Sequence, residues 1–304
     1  MQVLVAGGAG LLGGAALEAL LEQGHEVSVL SRSSVSDPRV RSIRGDVTQP
    51  ESLQGKLEGH DAVVDAVQFP NSPIENPKKG LTFERVDYGG TRNLVDAAKA
   101  AGIPHFIGIS GAGAAPDAEF HWLRFEWHEE QYIKENAPGY TIFRGSWVYG
   151  PADQSLNRFL SFARFLPFVP VIGDGKTRLN PLFVNDLGRH VAAAVTNDRA
   201  RDRLFEIGGP EILTMDEIIR TALRVAGKRR FLLHQPTWLM KAVASVAQHL
   251  PGRPLTPGAI DFITMDPTSD TTELREVFGL PLTPLAAGLA TYLPKGSASG
   301  APPT

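Results

Sequence analysis

The feature that most constrains this chain is its first turn. The apolar run QVLVAG leads into GGAGLLGG and then into the helical stretch AALEALLEQG, so Gly7, Gly10 and Gly13 stand between a strand and a helix with the spacing GxxGxxG. In such a turn the first glycine permits the tight bend. The second removes a side chain where the backbone must approach a pyrophosphate, and the third lets the helix pack close to the sheet. The free amides at the helix start then face the phosphates. A glycine-rich turn by itself also occurs as a structural loop. With a strand before it, a helix after it and a second strand following, the pattern predicts a dinucleotide held at Gly7, Gly10, Leu11, Leu12 and Gly13.

The second strand, HEVSVLSRSS, ends in Ser31 and Arg32 rather than in a carboxylate. A carboxylate there would receive the ribose 2′-hydroxyl of NAD(H), whereas a hydroxyl and a guanidinium suit a 2′-phosphate, so NADP(H) is favoured over NAD(H). The competing reading makes Arg32 an ordinary solvated arginine. Further on, RGDVTQPESL places Asp46 and Val47 at the end of the third strand. There the carboxylate can accept from an adenine amino group and the valine can cover the ring, unless Asp46 and Thr48 only cap the next helix. Ala66 and Val67, closing the run DAVVDAV, complete the expected cofactor set.

Short β-branched runs alternate with helical stretches through the first half of the chain: QVLVAG, Ala15 to Gln23, HEVSVLS, Ser52 to Leu57, DAVVDAV, Thr91 to Ala101, PHFIGIS, Phe120 to Asn136 and YTIFRGS. This alternation predicts an α/β fold, a doubly wound parallel sheet of Rossmann type with a small C-terminal substrate lobe. The expected Rossmann domain runs over 1–150, with a return at about 176–207. Residues 151–175 and 208–293 form the small lobe, and 294–304 have the composition of a disordered tail. Within that lobe the run TWLMKAVASVAQHL could dock on a membrane or a partner, but it carries little charge on a polar face and is expected to be a buried helix.

Thirty Lys and Arg stand against 33 Asp and Glu, and the positive residues are scattered, so nucleic acid is not expected as a partner. There is no cysteine, which removes disulfides, thiolate metal sites and a cysteine nucleophile. The opening MQVLVAG lacks the form of a secretion signal, and no apolar run reaches the roughly 18 residues that a spanning helix needs. The expectation is a cytoplasmic protein with no membrane span, whose partner is a small-molecule substrate or another protein.

Several segments together resemble the atypical and extended short-chain dehydrogenase/reductase superfamily, from Met1 to about Leu293. They are GGAGLLGG, GDVTQPESL, VDYGGTRNLVDAAKAAG with Asp87 where the family often has Asn, HFIGISGAGA, FRGSWVYGP, GDGKTRLNPLFVNDLGRHVAAAV and RLFEIGGPEILTMDEI. The chain looks most similar to the branch holding the NADPH-binding accessory subunit of respiratory complex I and the NmrA-like proteins. The resemblance implies that Ser110 lies near the cofactor, or else caps a turn, and that Arg144 through Tyr149 line the crevice.

The same resemblance exposes a departure. Reductases of this superfamily carry a tyrosine and a lysine four residues apart on one helix, where the lysine holds the ribose and lowers the phenol pKa. In EFHWLRFEWHEEQYIKEN the two positions hold Trp122 and Glu126, and Tyr132 and Lys134 stand in the wrong order one to two turns later. The paired serine falls near Gly111 or Ala112. An indole NH does not exchange a proton at useful pH, and a carboxylate reverses the lysine charge. His121, His128, Glu126 and Tyr149 are left as acid/base candidates, although a helix histidine is more often a surface or packing residue. The aromatics Phe120, Trp122, Phe125, Trp127 and Trp147 suit either an apolar pocket or core packing. No metal-ligand spacing is present. Two functions therefore stay open: a reductase of a small apolar or aromatic substrate with an atypical site, and a non-catalytic NADP(H)-binding sensor or assembly protein.

Overall fold

The structure, a computed structural model, describes residues 1–70, 72–153, 155–249, 255–265 and 268–293, so the expected disordered tail lies outside the described residues. In chain order the strands are β1 Gln2–Ala6, β2 Glu26–Ser31, β3 Arg41–Arg44, β4 Ala62–Asp65, β5 His105–Gly111, β6 Tyr140–Gly145, β7 Val148–Tyr149, β8 Phe168–Ile172, β9 Arg178–Leu179, β10 Leu182–Phe183, β11 Arg203–Ile207, β12 Leu213–Thr214 and β13 Phe231–Gln235. The helices are α1 Leu11–Glu22, α2 Gly89–Ala100, α3 His121–Asn136, α4 Leu156–Phe165, α5 Val184–Ala194, α6 Met215–Val225, α7 Thr237–Ala247, α8 Pro257–Thr264, α9 Thr272–Phe278 and α10 Leu285–Ala290.

Two compact units divide the chain. The larger comprises Met1–Ser146, Val184–Gly208 and Ser269–Pro281; the smaller comprises Trp147–Phe183, Gly209–Thr268 and the chain from Leu282 onward. The chain thus re-enters the larger unit at Val184 and again at Ser269. The second return, which brings α9 against β11, had no counterpart in the sequence reading.

The larger unit is built on one seven-stranded parallel sheet in the order β11-β6-β5-β4-β1-β2-β3. Its middle strands, β1 (QVLVA) and β4 (AVVD), are apolar almost without interruption because helices cover both faces and no side of the sheet meets water. Leu4, Val63, Leu94, Phe106 and Ile142 form part of the fully enclosed core. On one face α1 and α5 meet so closely that a Cβ on Gly188 would stand 2.3 Å from the Ala15 carbonyl oxygen. The order reverses between β1 and β4: β2 and β3 extend the sheet one way, and the chain then crosses over to β4 on the other side of β1. Beyond the carboxyl ends of those two strands lies the crevice where folds of this kind hold ligands.

Two expectations fail. The helix expected over Ser52 to Leu57 is only a 3-10 turn at Pro50–Leu53, which ends at Gln54 in a non-helical conformation, with Gly55 left-handed after it, φ 70°. Helix α7 forms where expected but is not buried: Ala244 alone of its residues is enclosed, while Trp238, Val243 and Val246 face solvent. In the same unit α6 is the helix that carries the core. It starts on a reciprocal cap between Thr214 and Glu217 and buries Met215, Ile218, Ile219, Ala222 and Leu223.

Candidate functional site

The turn after β1 is built by steric necessity at two of its glycines and by vacancy at the third. Gly7 has φ 81°, and a Cβ there would fall 2.4 Å from the carbonyl oxygen of Ala66 at the end of β4. A Cβ on Gly13 would lie 2.3 Å from the Gly7 carbonyl oxygen, so the helix rests directly on the turn. Gly10 is different. Its φ of −84° suits any residue, it is exposed, and its missing side chain would meet only the Gly7 oxygen, at 3.3 Å. A side chain there would need the Gly7 carbonyl to yield by only a few tenths of an ångström, and the glycine leaves the backbone open to the close approach of a phosphate. Gly10 is also the N-cap of α1, which has no side-chain cap and no acidic residue in its first turn. The amide end of a twelve-residue helix is therefore left to carry partial positive charge toward the crevice. The residues present fit a dinucleotide pyrophosphate.

The other expected cofactor residues lie along the same sheet edge. Ser31 closes β2 and donates to the Ser33 carbonyl. Arg32 follows it, exposed and without an ion pair or hydrogen bond among the described residues, whereas nearby Arg39 is held by Asp37 and Glu18 at 2.6 Å each. Asp46 accepts from the Thr48 amide and hydroxyl through one oxygen, at 2.9 and 2.8 Å, which holds a local turn; the 3-10 turn that follows starts at Gln49 without a side-chain cap, so Asp46 does not cap it. Val47 is buried and packs toward α2, where its methyl would stand 2.7 Å from a Cβ on Gly90. Asp65 was not singled out from sequence. It bonds Thr91 and the Val67 amide, and burial lifts its carboxyl to about 6.

At the end of β5 and along α3 the side chains that could do chemistry are carboxylates. Glu126, in the position where the superfamily has lysine, accepts from the Gly111 amide at 3.1 Å, and a Cβ on Gly111 would stand 2.5 Å from its oxygen. Burial, then the neighbouring Glu130 charge, raises the Glu126 carboxyl to about 7. One turn on, fully buried Glu130 takes both arms of the Arg144 guanidinium at 2.6 Å each and accepts from the Ser110 hydroxyl at 2.7 Å. Ser110 therefore neither caps a turn nor presents a free hydroxyl. Buried Glu129 and Asp87 each have one oxygen with no hydrogen-bond partner among the described residues. Burial first and neighbouring carboxylates second push both well above the usual carboxylate range.

The remaining candidates separate. His121 opens α3 and pairs with Glu75 at 2.9 Å, edge-on to Phe83. His128 is exposed and lies against Tyr88 and Trp127. Trp122 is 3% exposed and stacks on Phe120 with centroids 4.6 Å apart, so it is a packing residue and not part of an open pocket wall. Phe125 and Trp127 are half-buried. Tyr149 corrects an expectation: it is completely enclosed in the smaller unit against Phe183 and the Leu285 carbonyl, with its hydroxyl filling the space over Gly288. A phenol sealed in this way has no free face for a ligand. Sequence reasoning passed over Glu75, Asp65, Glu129 and Glu130. The signal for the last two was their register, since Trp122, Glu129, Glu130 and Ile133 stand at i, i+7, i+8 and i+11 on one face of the helix. Among the described residues no group of three or more His, Asp or Glu is placed to hold a metal ion.

Residues 7–157 match the family model described as NAD(P)H-binding. Among curated proteins, the chain is 28% identical to the Arabidopsis thaliana mitochondrial NADH dehydrogenase [ubiquinone] 1 alpha subcomplex subunit 9, over 70% of this chain and 55% of that protein. It is 24% identical to the photosystem II assembly factor Ycf39 of Trieres chinensis, over 81% of this chain and 76% of that one. The chain thus spans little more than half the length of the first of these relatives. Among solved structures it resembles the UDP-glucuronic acid 4-epimerase of Bacillus cereus in complex with UDP-glucuronic acid and NAD, with a TM-score of 0.74 at 19% identity over 96% of this chain and 99% of that one. At that identity the likeness shows the fold alone. By its family match over residues 7–157, the chain carries an NAD(P)H-binding domain, and over most of its length it is similar to a complex I subunit and to a photosystem II assembly factor.

Proposed function

We propose that the protein binds NADP(H) and reduces a small apolar or aromatic substrate without the tyrosine and lysine usual in its superfamily. The observation that carries the reading is the side-chain-free backbone at exposed Gly10 together with the uncapped start of α1, an arrangement suited to an anionic ligand. Arg32, exposed and unpaired among the described residues at the end of β2, supports the 2′-phosphate form. The cofactor, when bound, supplies hydride chemistry. The chain's own part is to place a proton donor, and Glu126 suits that role because its carboxyl titrates near neutral pH beside the Gly111 amide. His121, oriented by Glu75, is the second donor within α3. We place this activity in the cytoplasm.

A second reading has its own support. Trp122 is committed to packing and Glu130 to Arg144, so two α3 side chains on the same face are already engaged in structure. One relative is named an assembly factor. Under this reading the nucleotide stabilises the fold and the protein acts on a protein partner as a sensor or assembly factor. Substrate-dependent NADPH oxidation separates the two. A screen of aromatic and aliphatic carbonyl compounds that yields turnover, reduced in Glu126→Gln with cofactor affinity unchanged, supports the reductase. Tight NADPH binding with no turnover in any class supports the sensor.

A further inference from the structure

We infer that α7 and the strand before it form a docking surface for an anionic lipid bilayer. Ten large apolar side chains are exposed among the described residues, and all but Met1 belong to the smaller unit: Phe162, Phe165, Ile212, Phe231, Leu233, Trp238, Leu239, Val243 and Val246. Four of these lie on one eleven-residue helix. At about 100° per residue, Trp238, Ala242, Val246, Leu239 and Val243 span an arc of roughly 140°. The only enclosed position on the helix, Ala244, points the other way. An apolar arc of that width normally faces a core; here it faces outward. The strand leading into the helix continues the pattern, with Phe231 60% and Leu233 39% exposed.

The charge of this unit selects the occupant. It contains twelve Lys and Arg against seven Asp and Glu, a net +5, and because the whole chain carries −3 the larger unit carries −8. Lys228, Arg229 and Arg230 stand directly before exposed Phe231. Arg230 is tied to the Ala163 and Leu166 carbonyls, while Lys228 and Arg229 make no ion pair among the described residues. On α7 itself the single cation, Lys241, is paired with Asp261 at 2.6 Å on the flank of the apolar arc. A second copy docked through the same face is a poor occupant, because it would bring one positive unit against another. An anionic bilayer answers both features: the headgroups meet Lys228 and Arg229, and the acyl boundary receives Trp238 and the valines. Tryptophan at the edge of such a face matches the interface between headgroups and hydrocarbon. The inference does not depend on whether the larger unit turns over a substrate.

Co-sedimentation of the full chain with phosphatidylcholine vesicles, with and without phosphatidylglycerol, tests it. Binding is expected to the anionic vesicles at low salt, about tenfold or more weaker without phosphatidylglycerol and again at high salt. Trp238→Glu/Val246→Glu and, separately, Lys228→Glu/Arg229→Glu should each weaken binding by a similar factor with thermal midpoint and NADPH affinity unchanged. Quenching of wild-type tryptophan fluorescence by brominated lipid gives a second readout that needs no variant. The inference is overturned if wild type does not bind anionic vesicles, if the variants bind as well as wild type, or if light scattering finds a dimer that Trp238→Glu splits.

Discussion

Two parts of the larger unit carry the resemblance read in the sequence, and they differ in what they are made of. The turn after β1 is made of backbone: Gly7 and Gly13 are fixed by contacts of 2.4 and 2.3 Å that a side chain would occupy, and Gly10 by the space it leaves. Helix α3 is made of side chains, and there Trp122 has joined an aromatic stack, Glu130 has taken Arg144, and Glu126 stands where a lysine is usual. Binding encoded in backbone geometry resists substitution because almost nothing but glycine fits. Chemistry encoded in side chains is lost or reassigned one residue at a time, with the fold unharmed.

The largest effect that tests this contrast is at Gly7. Gly7→Val forces a β-branched residue into a left-handed conformation and against the Ala66 carbonyl, and should cost more than about 3 kcal/mol, read as loss of cooperative unfolding or a steep fall in denaturation midpoint. A well-folded Gly7→Val would show that the turn is not sterically fixed. Next comes Glu130→Ala, which leaves the Arg144 guanidinium in a largely buried position without its partner; about 3–5 kcal/mol of stability should be lost by denaturant titration. A near-neutral result would place that ion pair in effective contact with solvent.

A smaller effect is expected from Glu126→Gln, and it depends on pH. The folded carboxyl at about 7 lies above its ordinary 4.5, so its contribution is fully present below pH 4.5 and is lost as pH rises through 7. Asp65, at about 6, has the same sign. Wild-type thermal midpoint should therefore rise as pH falls from 8 to 6.5. Below that His105, held neutral by burial with a value of about 4, opposes the further gain from the carboxylates and makes the rise shallower. Glu126→Gln should flatten the upper limb, by up to roughly 3 kcal/mol at pH 8. An unchanged limb would mean that Glu126 is ionised and solvated. Smallest is Gly10→Ala, which should leave stability within about 0.5 kcal/mol of wild type yet weaken NADPH about tenfold or more. If affinity holds, Gly10 does not face the phosphates.

Much of the larger unit was legible in sequence because uninterrupted apolar runs such as AVVD have few other solutions once helices alternate with them. The turn was legible for the steric reasons given above. The fate of α3 was only half legible. The replacement of tyrosine and lysine could be read directly, but that Glu126 is pushed toward neutral pH depends on Gly111 leaving it room and on Glu130 standing one turn away. Glu75 reaches His121 from 46 residues upstream, and no local pattern announces such a contact. The sequence misled at α7 because a helix with one lysine in eleven residues reads as core, and only the structure shows which neighbours are there to cover it.

The central claim, that this turn holds a 2′-phosphorylated nicotinamide dinucleotide, is tested most directly by calorimetric titration of the purified protein with NADPH and with NADH, for wild type and Arg32→Glu. The account predicts that NADPH binds more tightly than NADH to wild type and that Arg32→Glu removes the difference, a loss of about 1.5–3 kcal/mol. Equal affinities, or a preference untouched by Arg32→Glu, would contradict the 2′-phosphate assignment, and failure of both nucleotides to bind would contradict the reading of the turn itself.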